Sequence, residues 1–205
     1  MKPQLYLASR SPRRAELLQQ LGLRFEVVRA EVAELRLPGQ TPADYARATA
    51  LAKAQAGAAQ LGAQRPRLPV LGADTDVAID GDILGKPRDA EDAVRMLLRL
   101  AERSHQVFSA VALVSAAGAD VELSVTRVQF GAITRAQALD YWNSGEPADK
   151  AGAYAIQGHA ARWICAIEGS YSGVVGLPLF ETVWLLERHG VQLGAASTTP
   201  AETAA

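Results

Sequence analysis

The amino-terminal stretch Leu5-Tyr6-Leu7-Ala8-Ser9-Arg10-Ser11-Pro12-Arg13-Arg14 does most to limit what this chain can become. An apolar run makes a short strand, and the polar break after it restarts at once as helix. Ser11 suits the N-cap and Pro12 the first helical position, residues 15–21 carry helical periodicity, and Gly22 closes the segment. A strand that feeds directly into a helix opens an α/β unit. Arg13 and Arg14 fall in the first helical turn, where the positive end of the macrodipole opposes each by roughly 0.3–1 kcal/mol. A bound phosphate would reverse that sign, since helix N–H groups and guanidinium forks at the carboxyl end of a strand form an anion cradle. The plainer alternative is a solvated helix start whose long arginines lean into water.

Strands and helices continue to alternate. Residues 25–29 read as strand, Thr41-Pro42-Ala43-Asp44 opens an alanine-rich helix to about residue 60, and 61–68 is a polar, proline-punctuated loop. Residues 69–73 form a short buried strand that ends at Asp74, and 77–80 with the turn Asp80-Gly81-Asp82 suggest a hairpin. Asp89 caps a helix to residue 100 or 101, and two long strands, 105–115 and 121–130, flank a loop at 116–120. Thr134 with Gln137 sets up a capping box for a helix ending near Ser144-Gly145, residues 162–167 return to strand, and Pro178 starts a last helix ending at His189-Gly190. The expected fold is α/β with a mixed sheet, in one domain over residues 1–194. The tail at 195–205 is rich in alanine and threonine, lacks periodicity, and is expected to be disordered.

Of 205 residues, 49% are hydrophobic and 21% charged, with a formal net charge of −1, so there is ample core and no basic excess of the kind nucleic acid favours. Any anion site must therefore be local. No apolar run reaches the length of a membrane span and residues 5–8 are too few for a signal peptide, so the expected location is cytoplasmic. The lone Cys165, within Trp163-Ile164-Cys165-Ala166-Ile167, has no disulfide partner or zinc-site neighbours and reads as buried core.

Beyond the first turn, three polar clusters can carry chemistry. In Gly72-Ala73-Asp74-Thr75-Asp76 a buried strand terminates in carboxylates that would share a face if the strand continued, as a hard cation or an activated water requires, though such sequences also make ordinary turns. Gly81-Asp82-Ile83-Leu84-Gly85-Lys86-Pro87 has too short a glycine spacing for a P-loop and lacks its Ser or Thr, which leaves Lys86 either a point charge for phosphate or a surface lysine. Residues 144–158 are dense in glycine and charge and too long for a connector; within them Gln157 offers a donor and an acceptor to a base edge, or hydrogen bonds to its own loop. The histidines form no legible Ser-His-Asp arrangement, and Gly169-Ser170-Tyr171-Ser172-Gly173 has tyrosine where a nucleophile elbow needs serine.

Leu7-Ala8-Ser9 with Ser11-Pro12-Arg13-Arg14, Gly72-Ala73-Asp74-Thr75, Gly85-Lys86-Pro87, Ser144-Gly145-Glu146-Pro147 with Asp149-Lys150-Ala151-Gly152, Ile156-Gln157-Gly158 and Val175-Gly176-Leu177-Pro178, in this order and spacing, resemble the Maf family of nucleoside triphosphate pyrophosphatases. The likeness extends over about residues 5–190. It implies an elongated, Maf/ITPase-like α/β fold, a mixed twisted sheet flanked by helices with two lobes around a cleft. It also implies hydrolysis between the α and β phosphates, giving monophosphate and pyrophosphate, with a divalent cation, Mg²⁺ or Mn²⁺.

Carried over by this resemblance, Asp74 is the proton acceptor, and Arg13, Thr75 and Gln157 are the specificity positions. Ser9, Arg14, Lys53 and Lys86 are phosphate partners, and Glu34 joins Asp74 at the metal. The combination of Arg13, Thr75 and Gln157 looks like the branch acting on dTTP and UTP; the 7-methyl-GTP branch tends to carry tryptophan after Ser-Pro and glutamate for the glutamine. Asp76 departs from the family pattern by replacing a commonly apolar residue, and Ala33-Glu34 replaces a more acidic stretch. The implied partner is a nucleoside triphosphate, modified pyrimidine nucleotides included, with no nucleic acid or membrane; a homodimer is consistent with the family. The alternative is a nucleotide-binding regulator of septum formation with incidental hydrolysis, against which the acidic strand end favours an enzyme.

Overall fold

The alternating pattern closes around a seven-stranded mixed sheet in the computed structural model, which describes residues 2–33, 35–61 and 67–193. In chain order the elements are β1 (Leu5–Leu7), α1 (Pro12–Gln20), β2 (Phe25–Val27), α2 (Pro42–Gln60), β3 (Val70–Ile79), β4 (Asp82–Leu84), α3 (Ala90–Leu100), β5 (Ser104–Ser115), β6 (Gly118–Phe130), α4 (Arg135–Asn143), β7 (Ile164–Glu168), α5 (Tyr171–Val175) and α6 (Leu179–Arg188). The strand order is β2-β1-β3-β5-β6-β7, with β4 beside β3. The first three strands run parallel and the other pairings are antiparallel.

The strand expected to stop at Asp74 instead continues to Ile79, because β5 pairs with it from Val70↔Val114 to Ala78↔Gln106. Its opposite edge is divided. β1 pairs there only as far as Leu7↔Leu71, and β4 pairs from Val77↔Leu84 onward. Residues 72–76 therefore face no strand on that side among the described residues, and the sheet forks. A fork of this kind leaves room for a ligand as the switch point of an open α/β sheet does.

The two-residue period of β3 separates its side chains between layers. Leu71, Ala73 and Val77 join the larger core with α3, α1 and α6, while Ala78 joins the alanine layer under α2. Asp74 and Asp76 share the parity of Ala78 and so belong to the α2 face, with Thr75 on the other. The alanines at 46, 50 and 54 let α2 ride close on the sheet. At Gly72 the approach is so tight that a Cβ would lie 2.5 Å from the Ala50 carbonyl oxygen and the Ala54 nitrogen. Only glycine fits between strand and helix there, and this contact sets the height of Lys53 above the strand.

Several expectations need correction. The loop placed at 116–120 shrinks to Ala116-Ala117, since pairing runs out to Ser115↔Gly118 and the Ala117 N–H is held by Ser115 Oγ at 3.0 Å. Cys165 is exposed, not core: β7 is an edge strand, and within the run 163–167 only Trp163 is buried. Residues 159–163 form a 3-10 turn before β7, and α5 was not expected. The tail at 195–205 lies outside the described residues. Among the described residues, no helix is long and apolar enough to cross a membrane.

Candidate functional site

A cleft of about 560 Å³ opens at the fork. Its lining includes seven cationic side chains, Arg10, Arg13, Arg14, Arg36, Lys53, Lys86 and Lys150, against three carboxylates, Asp74, Asp76 and Asp149. A chain of net charge −1 thus gathers a strong local positive excess in one concavity, the field that concentrates anions.

One wall is the β1–α1 turn. Ser11 stands at the N-cap with no capping bond from its side chain; Ser9 Oγ instead accepts the Ser11 N–H at 3.2 Å. The first turn of α1 thus keeps backbone donors available for an anion. The two arginines neither lean away nor rely on phosphate alone, because α5 ends beside them. Arg13 Nε donates to the Val175 carbonyl at 3.3 Å, and Arg14 Nε to that of Gly176 at 2.8 Å. Carbonyls at a helix end attract cations, which offsets the unfavourable dipole of α1. With Nε so fixed, the Arg14 fork reaches Ser9 Oγ at 3.2 Å and Thr75 Oγ1 at 3.4 Å. Thr75 in turn donates to the Gly176 carbonyl at 3.3 Å. Ser9, Arg14 and Thr75, far apart in sequence, are thereby one cluster.

The floor is the exposed edge of β3. Lys53 Nζ lies 2.6 Å from Asp74 Oδ1, and both side chains are largely buried. Asp76, one strand period along, is also buried and lines the cleft. Glu34, the other expected metal partner, lies outside the described residues. Among the described residues there is no group of three or more His, Cys, Asp or Glu that would hold a metal alone. Mg²⁺ and similar cations commonly bind through one or two carboxylates completed by substrate phosphates and water, and two buried carboxylates beside a phosphate-sized cationic wall fit that mode. Asp74 and Asp76 would hold it here.

The opposite wall comes from the β4–α3 loop and residues 149–157. Lys86 and Gln157 are exposed and line the cleft, and the Gly85 carbonyl accepts the Gly152 N–H at 3.0 Å, which ties the two segments together. All of the expected site residues within the described range, Ser9, Arg13, Arg14, Lys53, Asp74, Thr75, Lys86 and Gln157, thus border one cleft.

Sequence reasoning gave no role to Asp149 and Lys150, which hydrogen-bond each other at the cleft. Burial alone would raise the Asp149 carboxyl, but the hydrogen bond and charge of Lys150, with the charge of Arg13, hold it below its ordinary value. It also missed Arg36, two residues from the expected Glu34, whose guanidinium is pinned by the Gln40 carbonyl at 2.9 Å. A Ser-His-Asp chain does exist, contrary to expectation: His189 bridges Ser115 Oγ at 2.7 Å and Asp120 Oδ2 at 2.9 Å. None of the three borders the cleft, and Ser115 is already engaged in the β5–β6 turn, so the chain clasps that hairpin to the end of α6.

The open mixed sheet thus forks at a cation-lined cleft with a largely buried lysine–aspartate pair on its floor, a local charge that suits a small polyanion. Residues 4–189 match the family model described as Maf-like protein, and this chain belongs to that family. It is 54% identical over 188 residues to a dTTP/UTP pyrophosphatase of Saccharophagus degradans, covering 91% of this chain and 89% of the relative. A dTTP/UTP pyrophosphatase of Burkholderia lata is 52% identical, with 90% and 92% covered, and one of Ralstonia nicotianae is 49% identical, with 93% and 96% covered.

Proposed function

We propose that this chain is a nucleoside triphosphate pyrophosphatase that hydrolyses dTTP and UTP to the monophosphate and pyrophosphate. The observation that carries the reading is the Lys53–Asp74 pair, 2.6 Å apart on the floor of an arginine-lined cleft. The relatives' names support the same substrates.

Cleaving a phosphoanhydride demands neutralised phosphate charge, an aligned water and a stabilised leaving group. Arg13 and Arg14 at the start of α1, with Lys86 across the cleft, clamp the triphosphate, while Ser9 orients Arg14. Asp74 accepts the proton of the attacking water through Oδ2, since Lys53 occupies Oδ1 and fixes the carboxylate's orientation. Asp74 and Asp76 would hold a divalent cation, which would supply further charge neutralisation and lower the pKa of water. Gln157 reads the pyrimidine edge with one donor and one acceptor, and Arg13 and Thr75 complete the specificity positions. Substrate and product are soluble metabolites, in keeping with a cytoplasmic enzyme.

The test is a panel of common and modified triphosphates with Mg²⁺ or Mn²⁺, reading pyrophosphate against orthophosphate. Pyrophosphate release concentrated on dTTP and UTP is expected. Orthophosphate as the first product, or equal rates on purine nucleotides, would refute the assignment.

A further inference from the structure

The turn that carries Gln157 has no regular secondary structure to hold it, yet it borders the cleft with Ala155 and Ile156. Its support comes from behind. Glu146 accepts the Tyr141 hydroxyl on Oε1 at 2.5 Å and the His159 backbone N–H on Oε2 at 3.1 Å. The same Tyr141 oxygen accepts the Ala155 N–H at 3.1 Å. One carboxylate and one phenol therefore grip the backbone on both sides of Gln157. Gly158 is required by this arrangement, because a Cβ there would lie 2.0 Å from Glu146 Oε1. Neither Tyr141 nor Glu146 is among the residues that line the cleft. Tyr141 is buried on α4, with its ring edge-on to Trp163 at 5.4 Å. Burial, reinforced by the hydrogen bond to Glu146, pushes its hydroxyl well up, so it stays a donor.

We infer that Glu146 is a positioning residue for base selection: through its hydrogen bonds to Tyr141 and His159 it holds the Gln157 turn in register with the nucleobase. The inference rests on the proposed reading of Gln157 as a base reader. Because the phosphate grip lies on other elements, loss of Glu146 affects base binding more than the chemical step. Glutamine at this position keeps one acceptor and restores part of the frame.

The experiment measures kcat and KM on dTTP, UTP, dCTP and dGTP for the wild type, Glu146→Ala, Glu146→Gln and Tyr141→Phe. Amide hydrogen exchange at Ala155 and His159 is followed in parallel. Glu146→Ala is expected to raise KM for dTTP and UTP about tenfold, as loss of a charged hydrogen bond implies, and to compress the preference over dCTP by a similar factor. Its kcat should change by less than about threefold, its exchange at both amides should quicken about tenfold, and Glu146→Gln should fall between. Wild-type KM and preference in a folded Glu146→Ala overturn the inference. If that variant does not fold, Tyr141→Phe decides: unchanged selectivity overturns the inference and relaxed selectivity supports it. A wild type without preference for dTTP or UTP contradicts the proposed function instead, and the exchange arm still judges Glu146, since unchanged exchange at Ala155 and His159 overturns its role.

Discussion

The two walls of the cleft are built in different ways. On the side proposed to hold the phosphates, Arg14 stands on α1, Asp74 on β3 and Lys53 on α2, locked by a tight helix–strand contact at Gly72. On the side proposed to hold the base, Gln157 sits in an irregular turn whose flanking backbone is hydrogen-bonded by Tyr141 of α4 and by Glu146. Charge recognition tolerates little movement of the groups around the reacting phosphate, whereas reading a base requires a few donors and acceptors that a framed turn can present. Changes on the phosphate side should therefore strike turnover, and changes on the base side should strike selectivity or local stability.

The largest effect is expected from Asp74→Asn, which keeps size and removes charge. Turnover of dTTP should fall by on the order of 10²–10⁴, and the thermal midpoint should drop as well, because Lys53 loses its buried counter-charge. Turnover close to wild type would remove Asp74 from the chemistry. Arg14→Lys comes next, because an ammonium cannot span the Gly176 carbonyl, Ser9 and Thr75 together. A loss of about tenfold to a hundredfold in kcat/KM across all nucleotides is expected, with base preference unchanged. A shift in preference would mean that the two walls are not separable.

A different effect lies behind the base-side turn and is read as stability, not turnover. His105 is buried, with Nε2 2.8 Å from the Tyr154 hydroxyl, and burial lowers its pKa from 6.5 to about 4. Below pH 6.5 the unfolded chain takes up a proton that the folded chain refuses. Stability is thus full above that pH and is lost as the pH falls toward 4, by up to roughly 3 kcal/mol. Denaturant titrations at pH 7 and pH 4.5 on the wild type and His105→Gln measure this, and an equal pH dependence in both would contradict it.

The same contrast governs what the sequence disclosed. Capping signals, apolar periodicity and the Ser-Pro-Arg-Arg start marked α1, α2, α3 and α4 because these are local effects, and the Thr134–Gln137 capping box forms as its spacing required. The extension of β3 past Asp74 is hidden because aspartates disfavour strands, while pairing with β5 and the ion pair of Asp74 with Lys53 support it. Cys165 was misplaced because an apolar run does not reveal whether its strand is central or at an edge. The arginines' carbonyl partners at the end of α5 are 162 residues away, and the contacts of the Glu146 frame to Ala155 and His159 span a loop, so no local pattern encodes them.

The most direct test of the account is a crystal structure of the protein with a non-hydrolysable dUTP analogue and Mg²⁺. The triphosphate is expected in the fork between β1 and β4, within hydrogen-bond distance of Arg13 and Lys86, with the base against Gln157. An analogue bound elsewhere, or a fork left without phosphate at saturating ligand, would contradict the central claim that this break in the sheet is where the nucleotide is cleaved.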